Sequence, residues 1–473
     1  MSRAFQLLCA LALLSGANAF LASSAARPRI ATPSISRPQL VQPAASFQCK
    51  AAAVALSSVK MAEEEPKAGL KLDGESKFQL AILMSTNFLI QMGIGMIIPV
   101  LPLFAQSLGL GAAGVGLLVA VPQLTKLLFN LPVGHLVDVV GRKPPLIVGA
   151  LFDGIGQVMT ATSTTIGQLL PARLVVGVGS ATGSVNGAAT MAYTMDVVGK
   201  YPDQAGLLNG VLQAFGFLAF ACGPALGGWL ADNAGPARPF LLLGALQLIC
   251  VPLKMLLPET LPPSRRKDAG LGGLRSVMDG LFETYNKLLA DPKQRALLTM
   301  KCAFLCGLSL ILTIVPLHAA TAWGASATDL GKLYSFVTLL SLVVSPIAGV
   351  LADRIGSAPL AIGGSIATAL SVACMPFATS QFTYYLTRSI WSAGEAFLIT
   401  AYTTLALQVT KEEQRGARNS LDNQVGDVAL LFLPLLFGAI GAKSFNASFW
   451  SASIIMLLAN VAIVAGLKEP KAA

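Results

Sequence analysis

The chain has 473 residues, of which 54% are hydrophobic and only 12% charged, whereas an ordinary soluble domain carries about 25% charged residues. That balance excludes a soluble globule as the body of the protein. The formal charge of +10 does not mark a nucleic-acid binder, because the basic residues are scattered through connecting segments and the N-terminal extension and are not gathered on one face.

The first segments in chain order read as an address. Arg3, the apolar run Leu7 to Leu14 and Ala17-Asn18-Ala19 before Phe20 have the layout of a signal peptide over residues 1–19, too short to cross a bilayer as a mature helix. From Phe20 to Lys60 there is no Asp or Glu, while Arg27, Arg29, Arg37, Lys50 and Lys60 stand among many Ser, Ala and Pro, which is transit-peptide composition over 20–60. The combination resembles the bipartite presequences of algae with complex plastids and implies a plastid envelope as destination. The alternative is an ordinary secretory signal followed by a polar tail, with an endomembrane or plasma-membrane destination. Residues 61–77, with Glu63-Glu64-Glu65, form a hydrophilic tail near the expected mature N-terminus.

Apolar stretches of about 20 residues, each long enough to cross a hydrocarbon core, then recur with short polar breaks. Twelve spans are predicted: 78–105, 112–134, 143–163, 168–193, 204–231, 238–257, 296–320, 328–351, 358–378, 382–409, 415–441 and 447–467. Lys and Arg collect in alternate connections: Arg142 and Lys143; Lys200; Arg265, Arg266, Lys267, Arg275, Lys287, Lys293 and Arg295; Arg354; Lys411, Arg415 and Arg418. The opposite connections contribute little beyond Arg238, Lys332 and Lys443. The positive-inside bias therefore places both termini and the central loop on the cytosol-equivalent side.

The hydrophilic segment 258–295 separates six spans over 78–257 from six over 296–467, with a short tail at 468–473. Internal repetition supports the division. Gly134, Asp138 and Gly141 after the second span recur as Gly349, Asp353 and Gly356 after the eighth, and Arg173 recurs as Arg388, each 215 residues on. Gly206, Asn209 and Gly216 recur as Gly416, Asn419 and Gly426 at an offset of 210. Several residue types matched in order point to an all-α membrane protein of twelve transmembrane helices in two six-helix pseudo-repeats. In the central segment, Leu274, Val277, Met278, Leu281, Phe282, Leu288 and Leu289 form an amphipathic pattern that reads as a linker helix.

These motifs also carry a family resemblance. The segment Gly134 to Lys143 matches G-x-x-x-D-x-x-G-R-K, and the chain resembles the major facilitator superfamily, in particular its twelve-helix drug/proton antiporter branch of tetracycline exporters and vesicular amine transporters. The fourth span reads Leu169-x-x-x-Arg173-x-x-x-Gly177-x-Gly179, with Val176 where that branch usually has Gln. The fifth carries Gly210 and then Gly223-Pro224-Ala-Leu-Gly227-Gly228, an antiporter signature, and the sixth ends in Pro258-Glu259-Thr260. The resemblance implies a conformational latch made of Gly134, Asp138, Gly141, Arg142 and Lys143, echoed by Asp353, in which Asp138 and Arg142 form a charge-assisted bond that breaks as the halves rock. Packing and bending explain the fifth-span glycines and Pro224 without a substrate. Gly177, Gly179 and Gly183 follow no strand and are not a dinucleotide loop.

A charge in the middle of a membrane is costly, which makes each one a functional candidate. The candidates are Lys126, Asp153, Arg173, Glu395 and Asp427, with Asn87, Gln91 and Asn423, and beside them Gln123, Asn130, Gln157, Asn186 and Gln213, as polar residues that either line a cavity or hydrogen-bond between helices. Asp427-Val428-Ala429 is similar to the eleventh-helix pattern of vesicular amine transporters, which implies proton coupling or substrate binding at Asp427, with Glu395 as second choice. The competing reading is an acid paired with Lys126 or Arg388 that only joins helices. In the first span the amine transporters carry an Asp where this chain has Ile90-Gln91, which weakens a claim for a cationic substrate. His135 reads as a loop residue and His318 as the end of the seventh span.

Cys222, Cys250, Cys302, Cys306 and Cys374 lie inside predicted spans and form no disulfide framework, and no metal-ligand cluster or cofactor loop is visible. No catalytic constellation points to an enzyme. The leading function is proton-coupled export or exchange of a small, amphipathic organic molecule by alternating access, with protons and membrane lipids as the other partners and a monomeric carrier. The alternative is a non-transporting membrane scaffold or assembly factor on the same fold.

Overall fold

The computed structural model describes residues 72–183, 187–262, 264, 280, 283–411 and 414–467. The presequence expected over 1–60, Asn186 and most of the amphipathic central segment lie outside the described residues. What is described is helical, as a lipid environment demands of a chain whose backbone polar groups have no water to bond. In order the helices are α1 (Gly74–Ser107), α2 (Ala112–Val140), α3 (Lys143–Thr162), α4 (Ile166–Thr182), α5 (Ala188–Val198), α6 (Ala205–Ala234), α7 (Arg238–Met255), α8 (Pro292–Trp323), α9 (Ala327–Ile355), α10 (Ser357–Cys374), α11 (Gln381–Val409), α12 (Arg415–Gly441) and α13 (Phe445–Leu467). The expected fourth span corresponds to α4 and α5 together. Ten helical segments among the described residues are long and apolar enough to cross a membrane. The other two expected spans fall short for local reasons: α4 has 17 residues, and α11 carries Tyr384, Tyr385, Arg388 and Glu395 among its apolar residues.

Local chemistry sets the helix ends. Asp73 caps α1 by accepting from the Ser76 N–H at 2.7 Å, and Ser326 with Asp329 forms a reciprocal capping box on α9. Proline occupies the first turn of α3, α7 and α8, where its missing N–H costs nothing. The second helix runs six residues past the expected end, through Val140, and stops at Gly141, whose φ of +115° suits glycine. His135 consequently lies within α2 and is not a loop residue. His318 likewise lies inside α8, buried among Tyr384, Phe445 and Phe449.

Small residues bring helices into backbone contact, the usual means of association where lipid is as apolar as leucine. Cβ atoms added at Gly223 and Gly227 would run into the carbonyls of Met92 and Met96, so this face of α6 lies directly on α1. The next face of α6 meets the second half: a Cβ at Gly228 would strike the Ala327 carbonyl, and one at Gly331 the Pro224 carbonyl. The fifth-span signature is thus split between a joint inside the first half and a seam between halves. A second seam pairs Gly116 of α2 with Pro434 of α12, and Gly438 with Ala112.

Both seams sit at the end of the molecule that holds the α1–α2 and α8–α9 turns. There Asp232 accepts from the N–H groups of Ala327 at 3.2 Å and Thr328 at 2.7 Å, and the Ala225 N–H donates to Ser335 Oγ at 3.0 Å. Toward the opposite end, which carries the basic connections, Gly206 and Gly210 of α6, Gly349 of α9 and Gly416 of α12 have open space where a Cβ would be. The halves touch at one end and diverge at the other.

Candidate functional site

Between the seams and the divergent end, α12 brings Asp427 against α2. Lys126 Nζ lies 2.6 Å from Asp427 Oδ1, and Asn130 Nδ2 donates to Oδ2 at 2.6 Å. Lys126 and Asn130 are one turn apart and therefore share a helix face. Asp427 is buried, so both its oxygens are served at the junction of the halves. Of the two partners named for a paired acid, Lys126 is the one at Asp427, and Arg388 lies elsewhere, against Trp391.

Earlier on α12 than Asp427 is a second cluster, in which sequence reasoning named only Arg418, and that as a basic residue of a connection. Arg418 is buried and donates from Nη1 to Asp422 Oδ1 at 3.0 Å, from Nη2 to Tyr402 OH at 2.9 Å and from Nε to Gln294 Oε1 at 2.8 Å. Tyr402 OH also donates to Asp422 Oδ1, and Lys301 Nζ lies 3.4 Å from Oδ2. Gln294 Nε2 closes the set on Thr410 Oγ1 at 3.0 Å. The i, i+4 spacing of Arg418 and Asp422 was the available signal. Both lie close to a predicted span end, where charges read as headgroup anchors.

Glu395 and Arg388 stand on α11. Trp391 Nε1 donates to Glu395 Oε1 at 2.8 Å, and the Arg388 guanidinium stacks 4.3 Å from the Trp391 ring centroid. Arg388 is buried, and among the described residues its Nε and Nη1 have no hydrogen-bond partner. The tryptophan is the common neighbour of the two charges, an arrangement the sequence did not suggest.

The first half has its own buried polar set. Asp153 on α3 is buried against the backbone of Gly179 on α4, and Arg173 Nε donates to the Leu118 carbonyl at 3.3 Å. Lys254 of α7, absent from the sequence candidates, is buried and donates to the Gly183 carbonyl at 2.8 Å, just beyond the end of α4. Thr190 Oγ1 donates to the same carbonyl at 3.2 Å. Lys254 and Asn87 line a small cavity with Thr86 and Thr190, with room for about one water. Gln91 and Asn87 reach toward Gly216 of α6, and a Cβ there would lie 3.5 Å and 3.6 Å from their amide nitrogens. Asn423 and Gln213 are exposed.

The latch motif closes on the sixth-span motif. Arg142 Nη1 lies 2.6 Å from Asp138 Oδ1, and its Nε lies 3.2 Å from Asp196 Oδ2. Asp196 also accepts from Thr260 Oγ1 at 2.7 Å. Glu259 accepts from the backbone N–H of Arg142 at 2.8 Å and of Lys143 at 3.1 Å, and a Cβ on Gly141 would sit 2.5 Å from its Oε2. Asp138 and Asp196 belong to the first half, and Glu259 and Thr260 to the start of the central segment. Gly134 has open space beside it, and Asp353, the counterpart of Asp138, is exposed and has no hydrogen bond or ion pair among the described residues.

The description "Major Facilitator Superfamily" belongs to the family model that matches residues 83–321 and 297–473. This chain belongs to the major facilitator superfamily. It is an integral, multi-pass membrane protein with the fold of that superfamily. An uncharacterized MFS-type transporter of Methanocaldococcus jannaschii is 22% identical over 394 residues, covering 80% of this chain and 96% of the relative. The synaptic vesicular amine transporter of Mus musculus is 29% identical over 272 residues, 57% of this chain and 49% of that protein, so the match spans about half of the mouse transporter. Among solved structures, a bacterial homolog of the human lysosomal transporter Spinster, in an inward-facing and occupied conformation, superposes with a TM-score of 0.66 at 14% identity, covering 84% of this facilitator and 97% of that chain. The nucleoside transporter NupG gives a TM-score of 0.64 at 13% identity, with 83% and 100% covered.

Proposed function

We propose that this protein is a proton-coupled secondary transporter that exports or exchanges a small organic molecule by alternating access. The observation that carries the proposal is the Lys126–Asp427 pair, whose carboxylate is buried and whose ammonium is partly exposed, made across the junction of α2 and α12 and completed by Asn130. Breaking such a pair leaves a charge without its partner in a low-dielectric site, so rocking of the halves and the ionisation of Asp427 are energetically linked. A proton on Asp427 removes the buried carboxylate's share of that penalty and leaves the more accessible Lys126 ammonium to water, which is how a carboxyl in this position couples proton movement to the opening of the seams. Glu395, beside Trp391, is the second candidate for the coupling proton and Asp153 the third. Arg173, Gln91, Asn87 and Asn423 contribute to the polar lining. The Asp138–Arg142 bond acts as a latch on rocking.

The relatives support transport of small molecules: they include a synaptic vesicular amine transporter and, from Bacillus subtilis, a multidrug resistance protein. The composition of residues 20–60 supports delivery to a plastid envelope, and a reporter fused behind residues 1–60 that is secreted or stays in the endoplasmic reticulum would oppose it. The functional test is reconstitution in proteoliposomes under an imposed pH gradient. Wild type is expected to accumulate substrate, whereas Asp427→Asn retains binding and downhill exchange but loses accumulation. Unaltered pH-driven accumulation in the mutant would remove Asp427 from the mechanism, and no transport of any tested solute by wild type would favour the scaffold.

A further inference from the structure

Two elements, α2 and α8, converge on one stretch of α12. Asp422 and Asp427 supply the carboxylates, Lys301 of α8 and Lys126 of α2 approach from the two halves, and Arg418 lies behind Asp422. A Cβ on Gly426 would be 4.0 Å from Lys301 Cε, so the Lys301 stem lies along α12 one residue from the aspartate that holds Lys126.

Within each pair the lysine is the more accessible partner. The Lys126 side chain is 24% exposed against 4% for Asp427, and the Lys301 side chain 26% against 17% for Asp422. A molecule arriving between the halves therefore meets ammonium groups first, with the carboxylates recessed behind them. The charge balance has the same sign: three cations, Lys126, Lys301 and Arg418, face two carboxylates. Glu395 and Arg388 add one charge of each sign and leave the excess unchanged. The first half adds Lys254 and Arg173 against Asp153, and the first span contributes Gln91 and no acid. An uncompensated cation in a low-dielectric site is costly and attracts an anion.

We infer that the transported molecule is a small organic anion whose carboxylate, or a group of like charge, bridges Lys126 and Lys301. This rests on the reading of the α2–α12 junction as the transport site and adds the substrate class to it. The bound anion takes over the accessible donors of both lysines, while Arg418 and Tyr402 continue to hold Asp422. Asn130 and Asn423, on the same faces of α2 and α12 as these groups, add polar contacts. The divergent end provides the route of entry.

The test is a thermal-shift titration of the purified full-length protein in a neutral maltoside detergent, where no lipid phosphate competes. The probes are a panel of aliphatic and aromatic carboxylates and the amines of the same carbon skeletons. Carboxylates are expected to raise the melting temperature and amines are not. Lys301→Gln is the informative variant, because Asp422 keeps Arg418 and Tyr402 and the fold retains its support. It should raise the half-saturating carboxylate concentration at least tenfold, and Lys301→Arg should recover most of the loss. Carboxylate binding unchanged in Lys301→Gln would overturn the site. Stabilisation by amines alone would overturn the substrate class and leave the transporter reading standing, whereas no stabilisation by either class would count against both.

Discussion

A double-mutant cycle at Lys126 and Asp427 measures how strongly the pair ties α2 to α12. Replacing Lys126 by Met leaves a carboxylate whose side chain is 4% exposed with Asn130 as its remaining partner. Removing one member of a fully buried pair costs about 3–5 kcal/mol; because Lys126 is itself 24% exposed, the pair is partly screened and we expect about 2–3 kcal/mol here. Asp427→Leu strands an ammonium that can turn toward the open space between the halves, so its cost should be smaller, about 1–2 kcal/mol. The double variant removes both charges and their desolvation together, and should lie within about 1 kcal/mol of wild type. The cycle then yields a coupling of at least about 2 kcal/mol, well above the ~0.5 kcal/mol within which independent sites add. SDS-induced unfolding in mixed micelles, followed by tryptophan fluorescence, provides the free energies. Additive single effects, or a cost for Lys126→Met below about 0.5 kcal/mol, would show that the pair does not tie α2 to α12.

Three further outcomes follow from the latch and the helix ends. Gly141→Ala forces a Cβ into a residue with φ of +115° and against the Glu259 carboxylate, and should cost about 2–3 kcal/mol, measured by the same unfolding titration. Asp138→Asn removes the charge from the 2.6 Å pair with Arg142 while keeping an acceptor oxygen, and Asp196 still holds that guanidinium; turnover in proteoliposomes should fall several-fold with substrate affinity nearly unchanged, about 1 kcal/mol on the rate. Hydrogen bonds from Ser76, with Tyr201 adding a third, hold the Asp73 carboxyl down at about 2, below its ordinary 3.8. Its contribution is therefore present above pH 3.8 and lost as pH falls toward 2, so the melting-temperature gap between wild type and Asp73→Asn should close across that interval.

The sequence was most legible where one physical rule dominates. Hydropathy and punctuating Gly and Pro residues located the helices, and α12 begins at Arg415 and ends at Gly441 where its span was expected. The second helix outran its expectation because Leu136, Val137, Val139 and Val140 sustain a helix until Gly141 stops it. Pairings were far less legible. Lys126 and Asp427 are 301 residues apart, and Arg142 and Asp196 are 54 apart, and no periodicity encodes such contacts. Lys254, Lys301 and Asp422 escaped notice and Arg418 was read only as a connection charge, because charges near predicted span ends usually snorkel to water, whereas here helix packing encloses Lys254 and Arg418 and binds Lys301 to Asp422.

The central claim is that protonation of Asp427 releases a junction whose breaking lets the halves rock. Spin-label distances by double electron–electron resonance test it without knowledge of the substrate. One label pair, at Asn233 and Gln381, reports the end where the halves touch, and a second, at Leu207 and Lys411, reports the end where they diverge. The account predicts that acidification lengthens the first distance and shortens the second in the same fraction of molecules, and that Asp427→Asn abolishes the pH response. Distances that do not move with pH in the wild type, or that move identically in Asp427→Asn, would contradict it.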